Sequence, residues 1–321
     1  MNPNSKIYIA GHKGLVGSAL SKKLNDNGFN NIVGKSHADL DLEDYSATLN
    51  FLQTERPQYV VIAAAKVGGI YANNTYPVDF LMSNLAVEMN VIRASFDANV
   101  ERLIFLGSSC IYPKNAPQPI KEESLLTSEL ESTNRPYALA KIAGIEMCWS
   151  YNRQFGTKYL SVMPTNLYGI GDNYHPENSH VLPALIHKIH QAKEQKLNKV
   201  TLWGTGEPRR EFLFSDDLAN ALLHLLHLSD DDFRKLTDPS QCPLLNIGCG
   251  VDLTILELAK IIAEVIGYKG QFDLDQTKPD GTFQKLLDVS KIKSLGWSAQ
   301  TDLPSGIQLA YEDYLRNFID E

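Results

Sequence analysis

The first half of the chain alternates short apolar runs with longer stretches in which apolar residues recur at helical spacing. This pattern predicts strands near 6–10, 31–35, 59–64, 102–107 and 159–164. It predicts helices between them near 15–27, 42–55, 78–98 and 137–155, with Asp41 as the N-cap of the second helix. Strands and helices that alternate in this way favour a parallel, doubly wound α/β sheet with right-handed crossovers.

The pattern changes after Tyr168. Gly, Asn, His and Pro dominate 169–180, which is typical of a loop over a site. Beyond it we expect a helix near 181–195, a strand near 200–203 and helices near 218–228 and 255–267. We therefore predict a first domain over 1–168 and a smaller, mainly substrate-binding domain over 169–321. Part of about 212–250 is expected to return to the first domain.

Composition excludes several classes of protein. Hydrophobic residues make up 43% of the 321 residues and charged residues 21%, which is typical of a globular chain. The net charge of −8 disfavours nucleic-acid binding, and no apolar run approaches the roughly 20 residues of a membrane span. The polar residues 1–5 argue against a secretory signal. Cys110, Cys148, Cys242 and Cys249 show no metal-ligand spacing, so we expect no metal site, no disulfide framework and a cytoplasmic location.

A glycine-rich loop follows the first strand and opens the first helix. Gly11, Gly14 and Gly17 allow a tight turn, close approach of a pyrophosphate and close helix–strand packing. The helix N-terminus adds N–H donors and a positive dipole. We therefore predict a dinucleotide-binding (Rossmann) domain. The predicted loop contacts are Gly11, His12, Lys13, Gly14, Leu15, Val16 and Gly17.

The residues after the second strand bear on which nucleotide binds. An NAD site usually has an acidic residue there that binds the ribose 2′-hydroxyl. Here Lys35 and His37 precede Asp39, the first acidic residue after the strand, and Lys13 lies in the glycine loop. These three residues favour a 2′-phosphate and hence NADP(H). The alternative is that they are solvated surface charges and that Asp39 binds the NAD ribose.

Tyr137 and Lys141 lie at i and i+4 on one predicted helix, so they share a face. A nearby ammonium lowers the pKa of a phenol, which would make Tyr137 a general acid or base near neutral pH. Ser108 lies at the carboxyl end of a predicted strand, where doubly wound folds place their active sites. Its hydroxyl is a candidate to bind a substrate carbonyl beside the tyrosine.

Longer strings of sequence carry a specific resemblance. They are AAAKVGG at 63–69, NNTYP at 73–77, GSSCIYP at 107–113, MPTNLYG at 163–169, NSH at 178–180 and KPDG at 278–281. With the glycine loop and the Tyr–Lys pair, they make the chain resemble the extended short-chain dehydrogenase/reductase family over nearly its whole length. Within that family it is similar to the enzymes that convert GDP-4-keto-6-deoxy-D-mannose to GDP-L-fucose.

The resemblance implies two reactions at one site: 3,5-epimerisation, then NADPH-dependent reduction at C4. It implies Cys110 as base and His180 as acid of the epimerisation. In the reduction Tyr137 protonates the oxyanion, Ser108 holds it, and Lys141 tunes Tyr137 and binds the nicotinamide ribose. The further cofactor contacts it implies are Asp39, Leu40, Leu106, Gly107, Pro164, Thr165, Asn166, Leu167 and His180.

The resemblance also implies substrate contacts and a homodimer. The substrate-side candidates are Lys188, Trp203, Arg210 and Asp280, with Arg210 pairing with the pyrophosphate. The helices near 78–98 and 137–155 would form a four-helix interface between two copies. The first of these helices carries apolar residues on more than one side, so a face remains to be covered.

Two alternatives remain at this point. One is another nucleotide-sugar enzyme of the same family, such as a 4-epimerase or a 4,6-dehydratase. In family terms, a dehydratase would carry an acidic pair where Cys110 and Ile111 stand. The other is a non-enzymatic NADP-sensing protein on the same fold, which would have no need of the Ser–Tyr–Lys set.

Overall fold

A six-stranded, all-parallel sheet forms the centre of the amino-terminal part of the computed structural model, which describes residues 1–175, 179–278 and 280–318. From one edge to the other its strands are β2 (Ile32–Val33), β1 (Ile7–Ala10), β3 (Tyr59–Ile62), β4 (Arg102–Leu106), β5 (Tyr159–Pro164) and β9 (Leu244–Ile247). Five of these strands, β1, β3, β4, β5 and β9, are buried at every position, as strands covered on both faces should be.

Helices join the strands of this sheet and cover it. They are α1 (Leu15–Asp26), α2 (Tyr45–Glu55), α3 (Ile70–Thr75), α4 (Pro77–Asp97) and α5 (Arg135–Phe155). The order β2-β1-β3-β4-β5 is doubly wound, so the fold class predicted from the alternation is confirmed. In such a sheet the loops at the carboxyl ends of the strands form the binding crevice.

A second group of elements is built mainly from the carboxyl-terminal half. One small sheet contains β6 (Asn166–Tyr168), β8 (Arg209–Phe214), β10 (Asp252–Thr254) and β12 (Gln284–Lys285), and another pairs β7 (Lys199–Trp203) with β11 (Gln271–Asp275). Its helices are α6 (Val181–Glu194), α9 (Ile255–Ile266) and α11 (Leu303–Asn317). They enclose a separate apolar core.

Between these elements the chain returns to the first sheet. Helix α7 (Ser215–His227) packs on α1, and the short α8 (Asp230–Leu236) precedes β9, which pairs with β5. The short α10 (Ser290–Ser294) also packs against β9. The two groups of elements are thus interleaved along the chain.

Two local predictions are wrong in detail. The second helix begins at Tyr45, and Asp44 caps it, because its side chain accepts a hydrogen bond from the Ala47 amide at 3.0 Å. Asp41 instead accepts from the Glu43 amide at 2.9 Å, in the turn before the helix. The strand near 31–35 shortens to β2, which lies at the edge of the sheet and pairs with β1 alone. Within the described ranges, no helix is long and apolar enough to cross a membrane.

Candidate active site

The glycine loop forms a tight cradle between β1 and α1. Gly11 has φ +84°, and a Cβ there would lie 2.7 Å from the backbone nitrogen of Ala64. A Cβ on Gly17 would lie 2.1 Å from the carbonyl oxygen of Gly11. Both positions therefore exclude any side chain, one by conformation and contact, the other by contact alone. These close approaches bring the first turn of α1 against the end of β1.

The N-terminus of α1 presents free backbone donors at this cradle. Gly14 is the N-cap residue, no side chain caps the helix, and its first turn carries no acidic residue. The amide of Ser18 is the first to bond back, to the Gly14 carbonyl at 2.9 Å. The amides of Leu15, Val16 and Gly17 precede it and belong to the N–H groups that an anion binds at a helix N-terminus.

The loop after β2 carries the charges expected near a ribose. Asp39 accepts a hydrogen bond from the Ser36 hydroxyl at 2.5 Å, and this bond, together with Lys35 and Lys13, holds the pKa of Asp39 below its usual value. The carboxylate is therefore engaged, and two lysines lie within its field. His37 lies 3.9 Å from Asp41 instead, and Leu40 is buried. The His12 ring packs over Gly34, where an added Cβ would clash with it at 2.2 Å.

The residues at the carboxyl ends of β4 and β5 form the next part of the candidate site. Gly107 lies against Met163, so an added Cβ would meet the Met163 sulfur at 2.4 Å. Thr165 and Asn166 both donate to the carbonyl oxygen of Glu211, at 3.1 and 2.8 Å. These bonds hold the segment that carries Pro164, Thr165, Asn166 and Leu167, the predicted flank of a nicotinamide.

Ser108 and Tyr137 lie next to each other. Ser108 follows β4, and its Oγ accepts from the Cys110 amide at 3.3 Å. The Ser108 side chain lies near enough to the Tyr137 phenol to lower its pKa slightly, and Tyr137 is 9% exposed. Burial raises the pKa of Tyr137 strongly, with smaller contributions from the charges of Cys110 and Glu88. The phenol therefore keeps its proton at neutral pH and is available as an acid.

The prediction that the Lys141 ammonium lowers the pKa of the Tyr137 phenol is wrong. The Lys141 ammonium lies 3.0 Å from Glu88 Oε1 and 3.0 Å from the carbonyl oxygen of Leu106, whereas it lies 5.8 Å from the centre of the Tyr137 ring. Its charge is balanced by Glu88, so it does not offset the effect of burial on the pKa of Tyr137. The shared helical face of the two side chains is as predicted, since both belong to α5.

Cys110 lies in a polar, cationic environment. Its Sγ is 3.3 Å from the side-chain nitrogen Nδ2 of Asn134 and 3.9 Å from the Lys285 ammonium. Arg210 also interacts electrostatically with Cys110. Cations beside a thiol stabilise its thiolate form, which is the nucleophilic and basic form. Ser108, Cys110, Tyr137, Arg210 and Lys285 define what we call the cleft.

His180 is the N-cap residue of α6, although its side chain does not cap the helix. The residue has an exposed surface, yet the protein around the ring excludes enough water to lower the pKa of the imidazole. These two facts fit a position in an open crevice, reached by solvent on one side and surrounded by protein on the others. A lowered pKa makes the protonated ring a stronger acid.

One short segment contacts the surroundings of both His180 and Cys110. A Cβ on Gly69 would lie 2.8 Å from the carbonyl oxygen of Ser179, the residue before His180. A few residues further on, Ala72 and Phe80 pack in one apolar cluster with Tyr137 and Cys110. The segment from Gly69 to Phe80 therefore packs both against the residue before His180 and against Cys110.

Three of the four substrate-side candidates lie on or beside β7 and the turn that follows it. Lys188 donates to the carbonyl oxygen of Thr201 on β7, the strand that ends at Trp203. Trp203 is 65% exposed, and the Lys278 ammonium lies 5.4 Å from the centre of its ring. Immediately after Trp203, the amide and hydroxyl of Thr205 donate to Asp280 at 3.0 and 2.7 Å.

Arg210, the fourth candidate, interacts electrostatically with both Asp280 and Cys110. It lies on β8 opposite Lys285 of β12, and its Nη1 donates to the Arg209 carbonyl at 2.8 Å. Burial lowers the pKa of its guanidinium, which Cys110 and Asp280 partly offset. Asp280, one of the substrate-side candidates, accepts hydrogen bonds from Thr205 with both carboxylate oxygens, and bonds to a ligand would use its remaining lone pairs.

Several residues of the site have no signal in a linear reading. Lys285 reaches Cys110 through the pairing of β12 with β8, over a separation of 175 residues. Glu88 is buried on α4, and Asn84 of the same helix fixes the Lys66 backbone with bonds of 2.9 and 3.1 Å. Asn134 differs from these residues, because it lies only three residues before Tyr137, and this proximity in sequence is a local signal for its place in the site.

Asn178 and Pro279 of the family-like strings lie outside the described residues. Among the described residues, no group of three or more His, Cys, Asp or Glu side chains could hold a metal ion.

Comparison with known proteins gives consistent matches. The model of the NAD dependent epimerase/dehydratase family matches residues 7–235. The putative GDP-L-fucose synthase 2 of Arabidopsis thaliana is 51% identical over 100% of this chain and 95% of its own. The GDP-L-fucose synthase of Escherichia coli (strain K12) is 50% identical over 97% of each chain.

A solved structure agrees. MlghC, a GDP-mannoheptose C4 reductase from Campylobacter jejuni with NADP bound, superposes with a TM-score of 0.89 at 40% identity, over 98% of this chain and 99% of its own. The family model covers more than half of the chain, and the relatives cover nearly all of it. The chain therefore belongs to the NAD dependent epimerase/dehydratase family, and the GDP-L-fucose synthases are among its relatives.

Proposed function

We propose that this protein is an NADPH-dependent enzyme that converts GDP-4-keto-6-deoxy-D-mannose to GDP-L-fucose, by 3,5-epimerisation and then reduction at C4. The observation that carries the proposal is that the cleft contains two kinds of chemistry. Ser108, Tyr137 and Lys141 are a set for carbonyl reduction, and Cys110, between Asn134, Lys285 and Arg210, is a set for proton abstraction. Relatives of about 50% identity carry the name of this activity.

The residues present fit NADP(H). The N–H groups at the start of α1 and the space kept open by Gly11 and Gly17 suit a pyrophosphate. Lys13 and Lys35 lie in the field of Asp39 and suit a 2′-phosphate, while Asp39 itself is engaged by Ser36. When bound, NADPH supplies the hydride that reaches C4.

Cys110 is proposed as the base of the epimerisation. A ketone at C4 acidifies the hydrogens on C3 and C5, so each can be removed as a proton. Lys285 and Arg210 place positive charge near the Cys110 sulfur, and the side-chain amide of Asn134 donates toward it. Their charges also attract the enolate oxygen and the anionic substrate.

His180 is proposed as the acid that returns a proton to the opposite face of the sugar. Because burial lowers the pKa of its ring, the protonated form gives up its proton readily, but it is less populated at neutral pH. The epimerisation should therefore gain rate as the pH falls toward the range in which His180 is protonated. The reduction should not share this dependence, because Tyr137 remains protonated throughout.

Tyr137 is proposed to protonate the oxyanion formed at C4. Its raised pKa keeps the proton on the phenol until negative charge develops on the substrate oxygen. Ser108, which lies beside Tyr137, holds the same oxygen. Lys141 has three N–H donors and uses two of them on Glu88 and Leu106, which leaves one for a ribose hydroxyl.

The test is to mix the purified protein with NADPH and GDP-4-keto-6-deoxy-D-mannose and to identify the product by chromatography and NMR. NADPH consumption with GDP-L-fucose as product is the expected result. Consumption that yields a C4-reduced sugar with unchanged C3 and C5 would instead indicate a reductase without epimerase activity. No consumption with NADPH still bound would contradict the proposal and favour a different keto-sugar or a sensing role.

We also propose that the protein is a homodimer that uses α4 and α5. Val78, Met82 and Met89 are 68%, 59% and 52% exposed on α4, and their spacing places them on one helical face. Leu139 on α5 is 41% exposed. Sedimentation should give twice the chain mass of 35.8 kDa.

The interface has a matched control in another helix. Replacing both Met82 and Met89 by Glu should give the monomer mass, because a second copy would have to bury four carboxylates. Leu309 on α11 is 40% exposed as well, and Leu309→Glu should leave the mass unchanged. A monomeric wild-type protein would overturn the proposal.

A cytoplasmic location is proposed on the state of the cysteines. All four are free, and Cys110 needs to remain a thiol for the role proposed here. Such thiols persist in a reducing compartment. Fractionation of the source cells should place the protein with cytoplasmic markers.

A further inference from the structure

Lys141 is held by a carboxylate that the two proposed reactions do not use. Glu88 Oε1 lies 3.0 Å from the Lys141 ammonium, and the two side chains are 0% and 2% exposed. Glu88 comes from α4 and Lys141 from α5, so the pair joins two different helices. Burial raises the pKa of Glu88, and Lys141 partly offsets this rise, so each group is the principal counter-charge of the other.

The packing around the pair leaves room for this carboxylate in particular. A Cβ on Gly144 of α5 would lie 2.9 Å from Glu88 Oε2 and 2.5 Å from the Phe105 ring. The lysine ammonium also lies 4.7 Å from the centre of the Phe105 ring. The absence of a side chain at Gly144 therefore lets α4 approach α5 with a carboxylate between them.

The titratable groups that face the pair are limited. The charge of Glu88 acts electrostatically on Tyr137 and Cys148, both on α5. Strand β4 contributes no titratable group but places the Leu106 carbonyl and the Phe105 ring beside Lys141. Burial raises the pKa of Cys148 to about 12 and raises that of Tyr137 strongly. Both groups are therefore neutral in the physiological range and cannot replace Glu88 as a counter-charge.

We infer that Glu88 is a positioning residue for the reduction: it fixes the place and the charge of the Lys141 ammonium, through which it acts. This rests on the function proposed above only in that Lys141 serves NADPH binding and C4 reduction. A buried ammonium without a counter-charge gives up its proton at lower pH. Removing Glu88 would therefore leave the Lys141 ammonium buried without its counter-charge.

The first test is Glu88→Gln, which keeps the shape of the side chain and removes its charge. NADPH affinity and kcat/KM should both decline as the pH is raised. In Glu88→Gln this decline should occur at a pH at least about one unit lower than in the wild type. Glu146→Gln is the control, because Glu146 is half-buried on the same helix as Lys141, whereas the ion pair of Lys141 is with Glu88; this variant should keep the wild-type profile. An unchanged profile for Glu88→Gln would overturn the inference.

The second test does not depend on turnover. Lys141→Met leaves Glu88 as a buried charge without a partner and should lower the unfolding temperature. Adding Glu88→Gln to Lys141→Met should restore part of that loss, because it removes the stranded charge. If the two substitutions lower the unfolding temperature additively, the pair is not coupled and the inference fails. If wild type shows no turnover but the cycle is coupled, the proposed substrate is wrong and the pairing stands.

Discussion

Gly11 and Gly28 allow the cofactor cradle to be tested against a matched control. Both have φ near +83° in the structure, at +84° and +82°. A Cβ on Gly28 would meet nothing within 4 Å, whereas a Cβ on Gly11 would meet three backbone atoms of Ala63 and Ala64 at 2.7 to 2.9 Å. Replacing each glycine by alanine therefore imposes the same backbone strain and differs in steric contact alone.

The magnitudes follow from these two effects. A left-handed conformation costs an alanine about 1–2 kcal/mol, and this is the whole expected cost of Gly28→Ala. Overpacking against a backbone that cannot yield adds about 1–3 kcal/mol at Gly11. Gly11→Ala should therefore cost about 2–5 kcal/mol in the free energy of unfolding. In a large domain each kcal/mol lowers the unfolding temperature by about 2 °C.

The assay is thermal unfolding with and without NADPH. Gly28→Ala should lose a few degrees and keep the full stabilisation by NADPH, because that loop is remote from the cradle. Gly11→Ala should lose more and should respond weakly to NADPH, since a ligand stabilises only in proportion to its affinity for the folded state. Equal unfolding temperatures and equal NADPH responses in the two variants would refute the steric argument.

Three further predictions concern the chemistry and the stability of the chain. Tyr137→Phe should slow C4 reduction by about 10²–10⁴, while solvent deuterium still exchanges into C3 and C5; loss of exchange as well would contradict the assignment. Replacing Lys13 and Lys35 by Ala should raise the KM for NADPH by about tenfold or more and spare NADH, measured by steady-state kinetics. Asp172 is buried, and burial raises its pKa to about 7. Because the folded state then binds the proton more tightly than the unfolded state, Asp172 stabilises the fold at low pH, and this stabilisation is lost as the pH rises from about 4 to about 7. Asp172→Asn should therefore gain unfolding temperature relative to wild type between pH 5 and pH 8, and a constant difference would show that Asp172 does not titrate there.

Features that depend on neighbours along the chain could be predicted from the sequence. The strand–helix alternation, the glycine loop and the shared face of Tyr137 and Lys141 are all of this kind, because periodicity and turn chemistry are local. The misplaced cap is the limit of such reasoning: Asp41 and Asp44 both suit an N-cap, and only the backbone shows which one accepts the Ala47 amide.

Features that depend on strand pairing or helix packing could not be predicted in this way. Lys285 approaches Cys110 only because β12 pairs with β8, and Glu88 meets Lys141 only because α4 packs on α5. The pKa of Tyr137 is higher than predicted mainly because the phenol is buried, and also because Glu88 balances the ammonium on which the prediction relies. The i, i+4 spacing places an ammonium near the phenol, but it says nothing of a carboxylate on another helix that balances the charge.

The measurement that tests the central claim most directly is the reaction in D₂O, with GDP-4-keto-6-deoxy-D-mannose and NADPH, for the wild type and for Cys110→Ser. If one cleft performs both reactions, the wild type should yield GDP-L-fucose that carries deuterium at C3 and C5 and protium at C4. Cys110→Ser should incorporate far less deuterium while it still binds NADPH. A C4-reduced product without deuterium from the wild type, or wild-type incorporation by Cys110→Ser, would contradict the account.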